Sequence, residues 1–204
     1  DNIGAVQSKT GCNLNLNHNF FVDIGSSSGS AEMTAGAFIL NDPEDETTCG
    51  DHSIKYNVFS NNPPTELSDC VNGAKCASGL NFKHGLLSAD AGVNYVQYNY
   101  FIANYWGVRF QTSGARISQN LFIHPIIRAV EFSANDGPAD QPGNQDNTVE
   151  YNTLVKGNIS WNWPAYNGSN AEKLRVRYNT IVDDAPYYGS GDHGIIIIDP
   201  YGSN

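Results

Sequence analysis

The sequence predicts a right-handed parallel β-helix of about six coils with an asparagine ladder, and two repeating patterns predict it. The first is an asparagine met six times in one setting: Leu16-Asn-His-Asn19-Phe-Phe21, Ile54-Lys-Tyr-Asn57-Val-Phe59, Val96-Gln-Tyr-Asn99-Tyr-Phe101, Ile117-Ser-Gln-Asn120-Leu-Phe122, Val149-Glu-Tyr-Asn152-Thr-Leu154 and Val176-Arg-Tyr-Asn179-Thr-Ile181. Each reads aliphatic, two residues, Asn, one residue, apolar. The second is a short alternating stretch after each: Gly36-Ala-Phe-Ile39, Gly79-Leu-Asn-Phe82, Gly107-Val-Arg-Phe110, Ala129-Val-Glu-Phe132, Asn158-Ile-Ser-Trp161 and Gly194-Ile-Ile-Ile197. Period two is strand geometry, with the flanking apolar side chains inward and the middle one outward. A unit of this size cannot bury its apolar face alone and does so by stacking on its neighbours, which is the logic of a solenoid.

The first strand of each unit supplies one interior stack, Leu16, Ile54, Val96, Ile117, Val149 and Val176. A tight bend follows, where one residue enters the left-handed region, and Asn does so at low cost. Stacked amides hydrogen-bond to one another along the axis, so their burial leaves no polar group unsatisfied. The strand after the bend gives a second interior stack, Phe21, Phe59, Phe101, Phe122, Leu154 and Ile181. The asparagines lie 38, 42, 21, 32 and 27 residues apart, so the shortest interval fits a bare coil and the others are that coil plus surface loops. A β-sandwich also alternates short strands with turns, but it does not return the same Asn to the same offset.

One domain covering residues 1–204 is expected, as a segment of a longer protein, since the chain starts at Asp1 without an initiator Met or signal peptide and ends without a capping helix. Lys plus Arg number 11 against 21 Asp plus Glu, a net charge of −10, which sets aside nucleic acid and anionic membrane surfaces as partners. The longest apolar run, Ile195 to Ile198, is strand-sized and far short of the ~18 residues of a membrane span, so no membrane insertion is expected. Four cysteines beside 20 Gly, 11 Tyr and one Met suit a secreted or cell-surface chain with disulfides. Cys70 and Cys76 are spaced to close one loop, leaving Cys12 for Cys49, and the two other pairings stay open. No pair has the Cys-x-x-Cys spacing of a zinc ribbon. Asn158 and Asn167 head glycosylation sequons that would carry glycans in a eukaryotic secretory host.

With the second strands in register, their outward positions run up one face as a strip: Asn81, Arg109, Glu131 and Ser160, then Lys83, Gln111, Ser133 and Asn162. Coils stack ~4.8 Å apart, which brings Lys83, Arg109 and Glu131 within reach of one another. A cationic pair beside a carboxylate on a rigid sheet is a candidate catalytic or sugar-binding cluster. The plainer alternative is a cross-strand ion pair on a solvated face. Candidate substrate contacts are Asn81, Gln111, Trp106, Asn162, Trp163 and Tyr166, the rings because flat faces pack on sugars; Trp161 itself reads as core. His84 is a candidate acid or base, or else a turn residue. His52 and His193 both occur in Gly-Asp-His and mark equivalent corners. The loop Asn41 to Glu46 offers four carboxylates to a hard cation such as calcium, or is ordinary solvated loop.

The sixfold Asn pattern resembles the pectate-lyase-like β-helix superfamily over nearly the whole chain. Within it, Gly79-Leu-Asn-Phe-Lys-His-Gly85, followed by Val96 to Phe101 and Gly107-Val-Arg-Phe110, resembles the central coils of the chondroitinase B and alginate lyase family. That resemblance implies β-elimination on a uronate polysaccharide, with an Arg of an Arg-His-Gly segment in catalysis, a Lys one coil earlier as base, and calcium neutralising the uronate carboxylate. Lys83 stands at the Arg position with His84-Gly85 after it, whereas the coil before, Gly36 to Asp42, holds neither the Lys nor the Glu-x-Glu calcium ligands. Of the polygalacturonase motifs, only Asp183-Asp184 occurs.

Three functions follow as expectations. The first is a polysaccharide lyase, or less readily a hydrolase, with Lys83 or His84 as base, Arg109 as stabiliser of the anion and Glu131 beside them. The second is a non-catalytic glycan-binding or adhesive module. The third is a structural solenoid whose open edges stack end to end. Only the lyase reading calls for a cofactor, calcium.

Overall fold

The computed structural model describes residues 4–8, 14–22, 36–41, 52–61, 78–83, 93–110, 114–133, 146–162, 174–182 and 196–199; of these, 4–8, 36–41, 78, 81–83, 133, 161–162 and 196–199 are described by their backbone alone. Among the described residues every regular element is a strand. Strand β1 (Gly4–Ser8) precedes six coils of three strands each. These are β2 (Asn15–Asn17), β3 (Phe20–Val22) and β4 (Gly36–Asn41); β5 (Ser53–Lys55), β6 (Val58–Ser60) and β7 (Ser78–Lys83); and β8 (Asn94–Gln97), β9 (Tyr100–Ile102) and β10 (Trp106–Phe110). Then follow β11 (Ala115–Ser118), β12 (Leu121–Ile123) and β13 (Arg128–Ser133); β14 (Thr148–Glu150), β15 (Thr153–Val155) and β16 (Ile159–Asn162); and β17 (Arg175–Arg177), β18 (Thr180–Val182) and β19 (Ile196–Asp199). Each strand pairs in parallel with its counterpart one coil on, which builds a first sheet β1-β4-β7-β10-β13-β16-β19, a second β2-β5-β8-β11-β14-β17 and a third β3-β6-β9-β12-β15-β18. The chain is a parallel β-helix, as the repeat predicts.

Strand register puts Leu16, Ile54, Val96, Ile117, Val149 and Val176 in one column, and Phe21, Phe59, Phe101, Phe122, Leu154 and Ile181 in another. Both columns belong to the core. The four Phe rings stack 4.8 to 5.0 Å apart and within 8° of parallel, a spacing set by the coil pitch. Each fully buried ring contributes roughly 1.5–3 kcal/mol of transfer free energy. The ring column dictates its neighbours. A methyl on Gly79 would lie 2.7 Å from the Phe101 ring and from Gly107 O; one on Gly107 would lie 2.6 Å from Phe122 and from Ala129 O. By the same register Ala129 meets the coil that carries Leu154 in place of Phe, and there the smallest side chain is kept.

The asparagines form the ladder. Asn57, Asn99, Asn120 and Asn152 are buried, and the pattern at Asn99 is typical. Its two Nδ2 hydrogens are shared among three acceptors, Asn120 Oδ1 at 3.0 Å, Ile54 O in the preceding coil at 2.9 Å and Gln97 O at 2.9 Å. Its backbone N–H donates to the same Asn120 Oδ1 at 2.9 Å. The side-chain relay runs from Asn19 through Asn57, Asn99, Asn120 and Asn152 to Asn179. Buried amides are tolerated because each is fully engaged.

Three expectations need correction. Asn is not the left-handed residue of the bend: φ of 57° to 58° belongs to the residue before it, His18, Tyr56, Tyr98, Gln119, Tyr151 and Tyr178. The Asn side chain must turn inward to reach its acceptors, so the kink falls on its neighbour, whose side chain is thrown outward. The two end rows of the first sheet are displaced by one residue: Phe38 rather than Ala37 pairs with Leu80, and Ile196 rather than Ile195 pairs with Ile159. Within an unbroken apolar run, period two reads equally well in either frame. Asn158 is fully buried, one residue before the Ile159 that pairs with Val130, so the closed coil has no room for a glycan on its amide. Asn167, Cys12, Cys49, Cys70, Cys76 and Trp163 lie outside the described residues.

Candidate functional site

The strip on the first sheet forms with the expected pairing: Asn81 beside Arg109, Arg109 beside Glu131 and Glu131 beside Ser160. Arg109 Nε lies 3.2 Å from the Glu131 carboxylate. The surroundings differ from expectation, because Arg109 is 8% exposed, Glu131 9% and Ser160 3%. The pair is sealed, not spread on a solvated face. Trp106 is buried too, and its ring lies 4.6 Å under the Arg109 guanidinium and edge-on to Tyr105 at 4.6 Å. With Tyr105 and Ile126 it forms a second apolar cluster, so it packs the sheet and offers no face to a sugar.

Burial pushes the Glu131 carboxyl above its ordinary value, against the pull of Arg109 first and Arg128 second. The cation it faces is paired with it, and the arrangement stiffens this face. Lys83 is at the end of β7, paired in register with Asn41, and Asn162 ends β16; the side chains of Asn81, Lys83 and Asn162 are outside the description, as are His84, Gln111, Tyr166 and the acidic loop beyond Asn41. His52 is buried, and its Nδ1 accepts the Leu14 N–H at 3.1 Å, which ties the first coil to the second. Among the described residues no cluster of His, Cys, Asp or Glu could hold a metal ion.

A second region emerges at the asparagine corner. The residues that carry the positive φ stand outside the helix as a column, directly over the ladder. His18 stacks on Tyr56 at 5.1 Å, Tyr56 on Tyr98 at 5.0 Å, and Tyr151 on Tyr178 at 5.1 Å, with planes within 15° of parallel. The column is broken once, where Gln119 takes the place of a ring between Tyr98 and Tyr151. A groove of about 500 Å³ opens at that break, with Tyr98 and Tyr151 above and below, Gln119 between them, and Tyr100, Leu121 and Thr153 along the side. Two coil steps, about 10 Å, separate the two tyrosine rings. A ring placed midway would stack on both at the pitch the other rungs keep. None of these lining groups carries charge at neutral pH.

The column was written in the sequence as Tyr before Asn in four of the six repeats. It has no meaning until the fold shows that this position turns outward. A second corner, with Ala103, His124 and Lys156 at φ of 49° to 56°, shares no residue type and leaves no such mark. The outer face of the second sheet is charged: Asp146 accepts from Arg116 at 2.8 Å and from Arg175, and Glu150 pairs with Arg177 at 2.7 Å. Hydrogen bonds from Arg175 and then Arg116 hold the Asp146 carboxyl below the ordinary carboxylate range. No helix among the described residues is long and apolar enough to cross a membrane. Comparison with protein-family models, curated proteins and solved structures finds no match for this chain.

Proposed function

We propose that this chain is a non-catalytic carbohydrate-binding β-helix that works outside the cell, and that a neutral sugar ring occupies the gap at Gln119. The observation that carries the reading is the interrupted tyrosine column: Tyr98 and Tyr151, each stacked on a ring in the coil on its far side, stand two coils apart with an amide between them and no charged side chain among the residues that line the groove. Ring faces pack on the C–H faces of pyranoses, while the Gln119 amide and the tyrosine hydroxyls supply donors and acceptors for sugar hydroxyls. The site is built before the ligand arrives, so little conformational entropy is lost on binding. The resemblance to the pectate-lyase-like superfamily agrees with a carbohydrate partner, whereas the sealing of Arg109 against Glu131 weighs against lyase chemistry at that strip.

The decisive variant is Gln119→Tyr. The position already has the backbone that tyrosine adopts in four other coils, so the substitution completes the column and should keep or raise stability by about 0.5–1.5 kcal/mol per new ring contact. It should abolish retention on immobilised neutral polysaccharides, and Tyr98→Ala and Tyr151→Ala should weaken it. A folded Gln119→Tyr protein that binds as the parent does would refute the site. In parallel, ultraviolet absorbance from unsaturated uronates on incubation with polyuronates would restore the lyase reading.

A further inference from the structure

The outer face of the third sheet differs from that of the second in one respect. In each third-sheet strand the middle residue points inward and the two flanking residues point out. Strand register arranges the outward residues in two rows along the axis. One row is Phe20, Val58, Tyr100, Leu121, Thr153 and Thr180. The other is Val22, Ser60, Ile102, Ile123, Val155 and Val182. Not one of the twelve is charged. The twelve corresponding positions of the second sheet include Lys55, Arg116, Glu150, Arg175 and Arg177. Both faces belong to one chain of net charge −10, so the contrast is local and not compositional. Phe20 is 78% exposed, Val22 54%, Tyr100 50% and Val182 49%, and the central residues of the strip are mostly half-buried; an uncharged, largely apolar face of this length that reaches solvent marks an interaction surface.

The dimensions decide what covers it. Six strands at ~4.8 Å and three residues at ~3.3 Å each give a strip about 24 Å tall and about 10 Å wide. Two such strips packed together would bury on the order of 500 Å², well short of the ~1,200 Å² of a stable protein interface, so a second copy is a poor occupant. The strip is long, narrow and uncharged, and it borders the Gln119 groove, because Tyr100, Leu121 and Thr153 belong to both. Its repeat along the axis is close to the advance of one residue in an extended β-linked glycan chain.

We infer that the uncharged strip beside the Gln119 groove is a track of its own, on which a neutral, extended polysaccharide lies along the helix axis with about one sugar per coil, while the groove, whose rings face along that axis, holds a single sugar ring. This rests on the glycan reading of the groove. The strip offers a polyuronate no cation among its own twelve residues, and the net charge of the chain repels carboxylates, so a neutral chain is the better occupant.

The test is titration calorimetry with β-1,4-linked glucose, xylose, mannose and N-acetylglucosamine oligosaccharides of increasing length. Affinity for one of these series should rise roughly tenfold or more from two units to about six and then level off. Val22→Asp and Val182→Asp, exposed positions at the two ends of the track, should reduce six-unit affinity toward that of the two-unit ligand and leave the two-unit affinity unchanged, with the thermal midpoint checked for each. Binding that is independent of length, or unaffected by both end variants, would overturn the track and leave the groove reading standing. Binding of oligouronates alone, or a concentration-dependent dimer abolished by the same two variants, would also overturn it. If no neutral oligosaccharide of any length binds, the groove reading falls together with the track.

Discussion

Replacing Asn120 with alanine removes five hydrogen-bond contacts at once, three of them sharing the two Nδ2 hydrogens. Oδ1 accepts from Asn99 N and Nδ2 at 2.9 and 3.0 Å, and Nδ2 donates to Val96 O, Ser118 O and Asn152 Oδ1 at 2.8, 3.0 and 3.0 Å. A net hydrogen bond is worth about 0.5–1.5 kcal/mol, but a buried group left unpaired costs about 1–3 kcal/mol. The Asn99 backbone N–H loses its acceptor inside the coil, while Asn152 Oδ1 keeps the Asn120 N–H at 3.0 Å. Since such losses overlap and do not add fully, the expected cost is about 3–4 kcal/mol. Asn19→Ala is the control at the ladder's end. It gives up two donations, to Asn57 Oδ1 and Asn17 O, yet orphans nothing on Asn57, whose Oδ1 still receives the Asn19 N–H at 2.9 Å; about 1 kcal/mol is expected. Urea unfolding followed by circular dichroism measures both, and amide exchange at Asn99 reads the exposed N–H directly. Equal losses for the two variants, or unchanged protection at Asn99, would show that the buried relay contributes no more than its solvent-exposed end.

Other predictions concern packing and charge. Gly107→Ala should destabilise by roughly 1–3 kcal/mol, because its methyl meets Phe122 and Ala129 O at 2.6 Å; Gly107→Ala combined with Phe122→Leu should lose less than the sum of the two, measured by the same unfolding curves. The Asp146 carboxyl is held below the ordinary range by Arg175 and Arg116, so its contribution is present above about pH 4 and is lost as pH falls further. Asp146→Asn should therefore flatten the acid limb of a thermal-midpoint profile, with little change at neutral pH in high salt. Glu131 has the opposite sign: burial raises its carboxyl, the folded state holds the proton more tightly, and stability from this group declines as pH rises past the ordinary glutamate value. Glu131→Gln should remove that decline, and a parallel pH profile for parent and variant would refute the assignment.

How much was legible in the sequence follows from which side chains the repeat repeats. The interior columns and the ladder recur as the same residue types at one offset, from Leu16 to Val176 and from Asn19 to Asn179, because each coil meets the same neighbours above and below. The charged strip was legible as a pairing, Arg109 beside Glu131, because cross-strand register follows from alternation. Its burial was not, because what covers the outside of a sheet is not encoded in the strand. The tyrosines before Asn are visible as letters, and their meaning depends on a φ near +58° that falls on them and not on the Asn.

The sequence alone therefore determined the architecture: parallel coils, an apolar interior and an amide relay, all imposed by a local pattern that must satisfy itself at every ~4.8 Å step. The tertiary structure decided everything on the outside. It set the frame of the first and last coils, sealed Arg109 with Glu131, and turned Tyr56, Tyr98, Tyr151 and Tyr178 into a single column with a gap at Gln119. Interior positions are constrained by what every coil shares, whereas a surface site is made of residues far apart in the chain whose alignment exists only once the coils are stacked.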